Sequence, residues 1–124
     1  MIRQLLKTLV AMLMITNIAV ADERAMAQAG LAAISKGALL VDVRSPSEFA
    51  EGSLPGAVNI PHGSVTERIA EFGSDKSRTV VVFCRSGGRA GIAEKTLREL
   101  GFTDVVNGGE YESIREIQAA AGKQ

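Results

Sequence analysis

The sequence predicts an α/β protein, a small parallel sheet with helices on both faces. Three observations carry this. The runs Leu39–Val43 and Thr79–Phe83 are short and almost continuously apolar, as strands buried on two sides are. Segments with helical spacing and helical caps alternate with the strand-like runs. The strongest strand leads through a glycine-rich loop straight into a helix, at Phe83-Cys84-Arg85-Ser86-Gly87-Gly88-Arg89-Ala90. A chain of 124 residues supports one domain.

The first 21 residues, MIRQLLKTLVAMLMITNIAVA, read as a secretory signal peptide. Arg3 and Lys7 are basic, an apolar stretch follows, and Ala19-Val20-Ala21 has the small-x-small pattern of a cleavage site. Ala25-Met26-Ala27 is a weaker second site. The expectation is an exported protein, periplasmic in a Gram-negative host, with no stable membrane association after cleavage. Retention as a membrane anchor is the alternative.

Residues 22–33 form an N-terminal helical segment, with a helix expected over Ala25–Ser35. Met26, Ala29, Ala33 and Ile34 fall on its inner face, and Gly37 ends it. Leu39–Val43 is the first strand. Ser45-Pro46-Ser47-Glu48 combines an N-cap, a first-turn proline and a capping-box glutamate, and opens a brief helix. Ala57–Ile60 is the second strand, closed by Pro61. Ser64-Val65-Thr66-Glu67 reads as another capping box, opening a helix to about Phe72. Thr79–Phe83 is the central strand, rich in β-branched residues. Ala90, Ala93, Leu97 and Leu100 mark the buried side of a helix over Gly91–Leu100, with a stop at Gly101-Phe102. Asp104–Val106 is the last strand. Asn107-Gly108-Gly109 reads as a turn into a helix over Tyr111–Ala120, which carries Ile114 and Ile117.

Composition narrows the chemistry. Fourteen Lys+Arg balance fourteen Asp+Glu, which excludes a basic protein that coats nucleic acid. One cysteine and one histidine exclude a disulfide framework and a thiolate-rich metal site. No metal or organic cofactor is expected. An unpaired cysteine in an exported chain points to a reactive thiol or an intermolecular bond.

Cys84 is the candidate nucleophile. It ends a parallel strand, where open α/β sheets place their ligands. Gly87 and Gly88 let successive N–H groups turn inward, and the helix starting near Arg89 points its positive end at the same place. Arg85 and Arg89 add charge. Each of these features favours a thiolate over a thiol. Arg85, Ser86, Gly87, Gly88 and Arg89 are the candidate substrate-binding residues. A buried structural cysteine would leave the two glycines and two arginines unexplained. His62 reads as a surface residue. Asp42 and Arg44 lie at the end of a neighbouring strand, either supporting the loop or forming an internal ion pair. Glu48 reads as a cap.

The chain resembles a single-domain rhodanese, a thiosulfate sulfurtransferase-type protein. The stretches that carry the resemblance are Val41-Asp42-Val43-Arg44 with Glu48, then Gly52 to Pro61, Cys84 to Ala90, Leu100-Gly101-Phe102 and Val106 to Gly109. The resemblance implies a three-layer fold over residues 34–122. It implies transfer of a sulfane sulfur through a persulfide on Cys84, from a donor such as thiosulfate to cyanide or a thiol. The expected partners are therefore a small-molecule sulfur donor and acceptor. The family's Gly-His is Gly52-Ser53 here, and the family's first small strand has no counterpart before Leu39. Related phosphatases and arsenate reductases place five residues between Cys and Arg. This chain has four, Arg85 to Gly88, a tighter loop suited to a single sulfur. A non-catalytic module that binds an anion or a protein is the other alternative.

Overall fold

The computed structural model describes residues 22–122. The signal-peptide reading of residues 1–21 lies outside the described residues. Four strands, β1 (Leu39–Asp42), β2 (Val58–Asn59), β3 (Val80–Cys84) and β4 (Val105–Glu110), form one parallel sheet in the order β2-β1-β3-β4. The helices are α1 (residues 22–35), α2 (Pro46–Glu51), α3 (Gly88–Glu99) and α4 (Tyr111–Gly122). This is the expected α/β architecture. No strand precedes β1 among the described residues. None of their helices is long and apolar enough to cross a membrane.

Side-chain alternation along β1 and β3 explains why their sequences are almost wholly apolar. Val41, Val43, Val80, Val82 and Cys84 face one layer, where they meet Ala90, Ala93 and Leu97 of α3 together with Val65, Phe72 and Phe102. Leu40, Val81 and Phe83 face the other, against Ala27 of α1 and Ile114 of α4. Every residue of β3 is buried. Both faces are thus removed from water, which leaves no position along the strand for a solvated side chain.

The local stop and start signals act as their chemistry requires. Gly37 has φ +92°, with Gly37 N–H donating to Ile34 O at 3.0 Å and Ala38 N–H to Ala33 O at 3.1 Å. Gly101 repeats the arrangement after α3, with φ +101° and Phe102 N–H on Leu97 O at 3.0 Å. Both are Schellman closures, which satisfy the last helical carbonyls. At α2, Ser45 Oγ accepts from Glu48 N–H at 3.3 Å, and Glu48 Oε1 accepts from Ser45 N–H at 3.2 Å.

Three elements differ from expectation. Ser64–Glu67 opens no capped α-helix. The segment folds as two 3₁₀ turns, His62–Ser64 and Ile69–Phe72, neither with a side-chain cap. It is too short to offset helix nucleation, and burial of Val65 and Phe72 sets its path. Asn107-Gly108-Gly109 is not a turn but part of β4, which carries a bulge: Val82 pairs with Asn107 while Phe83 pairs with Gly109. On α1, Ala29 is exposed and Ala27 and Gly30 are buried instead.

The last two differences share a cause. A Cβ on Gly30 would lie 3.2 Å from Gly108 Cα, and a Cβ on Gly108 would lie 3.3 Å from Ile114 Cδ1. The two glycines let α1 and α4 settle on the bulged strand. Gly30→Val is therefore expected to destabilise the protein by about 1–3 kcal/mol through overpacking. Ala29→Val, on the solvent side, is expected to change the denaturant midpoint little. Urea unfolding of the two variants checks the difference.

Candidate active site

β3 ends at Cys84, the loop turns through Arg85 and Ser86, and Gly87 is the N-cap of α3 with φ +87°. That left-handed angle brings Gly87 N–H onto Cys84 Sγ at 2.8 Å. Only glycine adopts it without strain. Gly87 also has no side chain to occupy the first amides of α3, so the positive end of the helix stays open toward the sulfur. Cys84 is wholly buried, while Arg85, Ser86 and Gly88 are exposed and Gly87 and Arg89 half-buried. The sulfur therefore lies beneath the loop that the sequence marks as its cradle.

The two loop arginines differ in kind. Arg89 donates from Nη1 to Glu48 Oε1 at 2.7 Å and from Nη2 to Oε2 at 3.0 Å. Pairing of β1 with β3 brings α2 beside the start of α3 and so makes this bidentate contact possible. Arg89 thus has a carboxylate partner, whereas Arg85 forms no ion pair among the described residues. Glu48 is more than a cap: it ties α2 to the loop.

The Arg89 hydrogen bonds pull the Glu48 carboxyl down to about 2, with Ser45 N–H and hydroxyl adding to the effect and partial burial opposing it. A carboxyl depressed in the folded state stabilises the fold above its unfolded pKa, and this contribution is lost as pH falls toward the folded value. Between about pH 5 and pH 2, wild type is expected to lose on the order of 1–2 kcal/mol from this partly solvent-screened group. Glu48→Gln lacks that titration. Subtracting its stability-versus-pH curve from wild type should isolate this loss in the acid limb.

Asp42 and Arg44 form the buried ion pair that the sequence allowed as one of two readings. Arg44 Nε donates to Oδ1 at 3.0 Å and Nη2 to Oδ2 at 2.7 Å, and Arg44 N–H adds a bond to Oδ1 at 3.0 Å. Hydrogen bonding to Asp42 raises the Arg44 pKa further above its ordinary value. Ser53 Oγ donates to Asp42 Oδ2 at 2.8 Å, so the serine that departs from the family's pattern has a polar role of its own. Arg44 Nη2 also donates to Gly52 O at 2.7 Å, and its guanidinium lies 4.4 Å from the centre of the Tyr111 ring. Tyr111 stacks in turn on Phe83, with ring centres 6.2 Å apart. The pair therefore joins β1, α2, β3 and α4 at the carboxyl edge of the sheet.

Beside the loop, Arg44, Glu48, Gly52, Arg85, Tyr111 and Arg115 line a polar cleft of about 310 Å³. Sequence reasoning missed Tyr111 and Arg115 as site residues. Tyr111 follows a parallel strand directly, as Cys84-Arg85 ends one, and that position alone was a usable signal. His62 is half-buried in its 3₁₀ turn, with its backbone N–H on Val43 O at 3.0 Å. None of the hydrogen bonds among the described residues links its imidazole to Cys84.

Known proteins resemble this chain in sequence and in fold. The model of the rhodanese-like domain matches residues 26–112. Thiosulfate sulfurtransferase PspE of Escherichia coli is 42% identical over 74 residues, 60% of this chain and 71% of that protein. A sulfurtransferase of Allochromatium vinosum is 41% identical over 69 residues, 56% of this chain and 63% of that protein. Among solved structures, an E. coli rhodanese with anions superposes with a TM-score of 0.60 at 40% identity, covering 63% of this chain and 92% of the other. The human single-domain sulfurtransferase TSTD1 gives 0.55 at 31% identity, covering 69% and 85%. The chain belongs to the rhodanese-like domain family. Within it, the protein is a transferase of the thiosulfate sulfurtransferase type.

Proposed function

We propose that the protein carries a sulfane sulfur on Cys84, taking it from a donor such as thiosulfate and passing it to cyanide or a thiol. The observation that carries this reading is the Gly87 N–H on Sγ at 2.8 Å, at the open N-terminus of α3. The hydrogen bond and the helix terminus put an N–H donor and the positive end of a dipole at the sulfur, where the reaction takes place.

The Cys84 thiolate attacks the outer sulfur of thiosulfate. A bond forms between Sγ and that sulfur, the donor's S–S bond breaks, and sulfite leaves with the electron pair. Arg85 offsets the donor's negative charge at the cleft. Gly87, Gly88 and Ser86 form the loop around the transferred sulfur. Arg89, held by Glu48, fixes the far end of that loop. The loop's four-residue spacing supports sulfur over the phosphate or arsenate of the five-residue relatives. Addition of one sulfur atom to the intact mass after thiosulfate treatment is the expected result, reversed by cyanide. An unchanged mass in folded protein would overturn the reading; oxidation products, of which the sulfinic acid adds nearly the same mass as one sulfur, are separated by their resistance to cyanide.

We also propose export, on the strength of the basic, apolar and small-x-small succession in residues 1–21. Protein recovered from its native host is expected to begin at Asp22. A membrane-bound form beginning at Met1 would overturn this.

A further inference from the structure

The cleft that Arg85, the residue after Cys84, lines holds charges in two conditions. Arg44 is committed to Asp42, Glu48 to Arg89, and Arg115 to Glu112 at 3.4 Å. Arg85 and Glu51 line the same cleft and form no ion pair among the described residues. Arg85 directly follows the nucleophile. Glu51 ends α2, and its neighbour Gly52 is anchored through its carbonyl by Arg44 at 2.7 Å. The cleft thus offers one uncommitted cation and one uncommitted carboxylate, on backbone that is held in place at both ends. Its volume of about 310 Å³ is that of a small-molecule site.

We propose that this cleft receives the sulfur acceptor as a zwitterion, an amino-acid thiol whose carboxylate meets Arg85 and whose ammonium meets Glu51. This rests on the persulfide reading above. The acceptor thiolate attacks the outer sulfur of the Cys84 persulfide and forms a new S–S bond. The bond between that sulfur and Sγ breaks, and its electron pair returns to Cys84 as thiolate. The proton on the transferred sulfur leaves with the product, so no external oxidant or reductant enters. Arg85 serves both half-reactions in turn, facing first the donor's anionic end and then the acceptor's carboxylate. Glu51 serves only the second. In the first, its charge opposes an approaching dianion.

That asymmetry gives the test opposite signs. Wild type and Glu51→Gln are loaded with thiosulfate and freed of sulfite. Persulfide loss is then timed with cysteine, and with 3-mercaptopropionate, which lacks the ammonium, at matched thiolate concentrations. Wild type is expected to react about fivefold faster with cysteine, and Glu51→Gln to lose that preference, about 1 kcal/mol of discrimination. Glu51→Gln is also expected to load from thiosulfate about twofold faster than wild type, while Glu51→Asp keeps the cysteine preference. An exposed residue with a merely structural role would slow both half-reactions or neither. Persulfide formation with the same cysteine preference in wild type and Glu51→Gln would overturn the zwitterion site alone. Failure to form any persulfide would overturn the underlying sulfur-carrier reading, and the site with it.

Discussion

Replacing Cys84 with serine is expected to abolish sulfur transfer from thiosulfate to cyanide, not to slow it. Serine preserves the shape and can still accept the Gly87 N–H bond that Sγ accepts at 2.8 Å. It cannot do the chemistry. Sulfur reacts as the thiolate, whereas an alcohol is far harder to ionise and stays a neutral hydroxyl at neutral pH. A hydroxyl oxygen also cannot hold the transferred sulfur as a stable, reversible S–S partner. The fold should survive, because Cys84 is a free cysteine and forms no disulfide. Circular dichroism should match wild type, and the variant's mass should stay unchanged after thiosulfate. Iodoacetamide on wild type should reproduce the loss, and prior thiosulfate loading should shift the alkylated product from thiol to persulfide. Full transfer by a folded Cys84→Ser protein would falsify the mechanism.

The parts of this site that the sequence makes legible are those set by near neighbours. The Ser45–Glu48 capping box, the closures at Gly37 and Gly101, and the run from Phe83 to Gly88 each act within a few residues of chain. What stays hidden depends on tertiary approach. Glu48 and Arg89 are 41 residues apart, and only the β1–β3 pairing makes the capping residue a partner of the loop. Ser64–Glu67 has a capping-box pattern as good as the first, yet burial of Val65 and Phe72 imposes 3₁₀ geometry. Asn107-Gly108-Gly109 reads as a turn because glycine usually marks one. Here its missing side chains admit α1 and α4 against a continuing strand. The same contact turns Gly30 inward and Ala29 outward, a rotation that apolar spacing in an alanine-rich helix cannot report.

Loss of the Asp42 carboxylate is expected to be the most destabilising change at the edge of the sheet. Asp42→Ala leaves Arg44 buried, its side chain only 7% exposed, with the Gly52 carbonyl and the Tyr111 ring as remaining partners. Breaking a buried pair by removing one member costs about 3–5 kcal/mol, because the other charge stays desolvated and unpaired. Ser53 Oγ and Arg44 N–H lose their acceptor as well. In a small domain holding about 5–15 kcal/mol in all, that is a large share of total stability. Sulfur transfer should fall too, since Arg44 precedes the Ser45 cap that presents Glu48 to Arg89. A double-mutant cycle separates the pair from its surroundings. Arg44→Met removes the stranded charge, so Asp42→Ala/Arg44→Met should be less destabilised than the sum of its singles by at least about 1 kcal/mol. Urea midpoints for wild type, both singles and the double measure this coupling. Strict additivity would mean that the two residues act independently, and the pair would then not be what holds β1, α2 and α4 together beneath the loop.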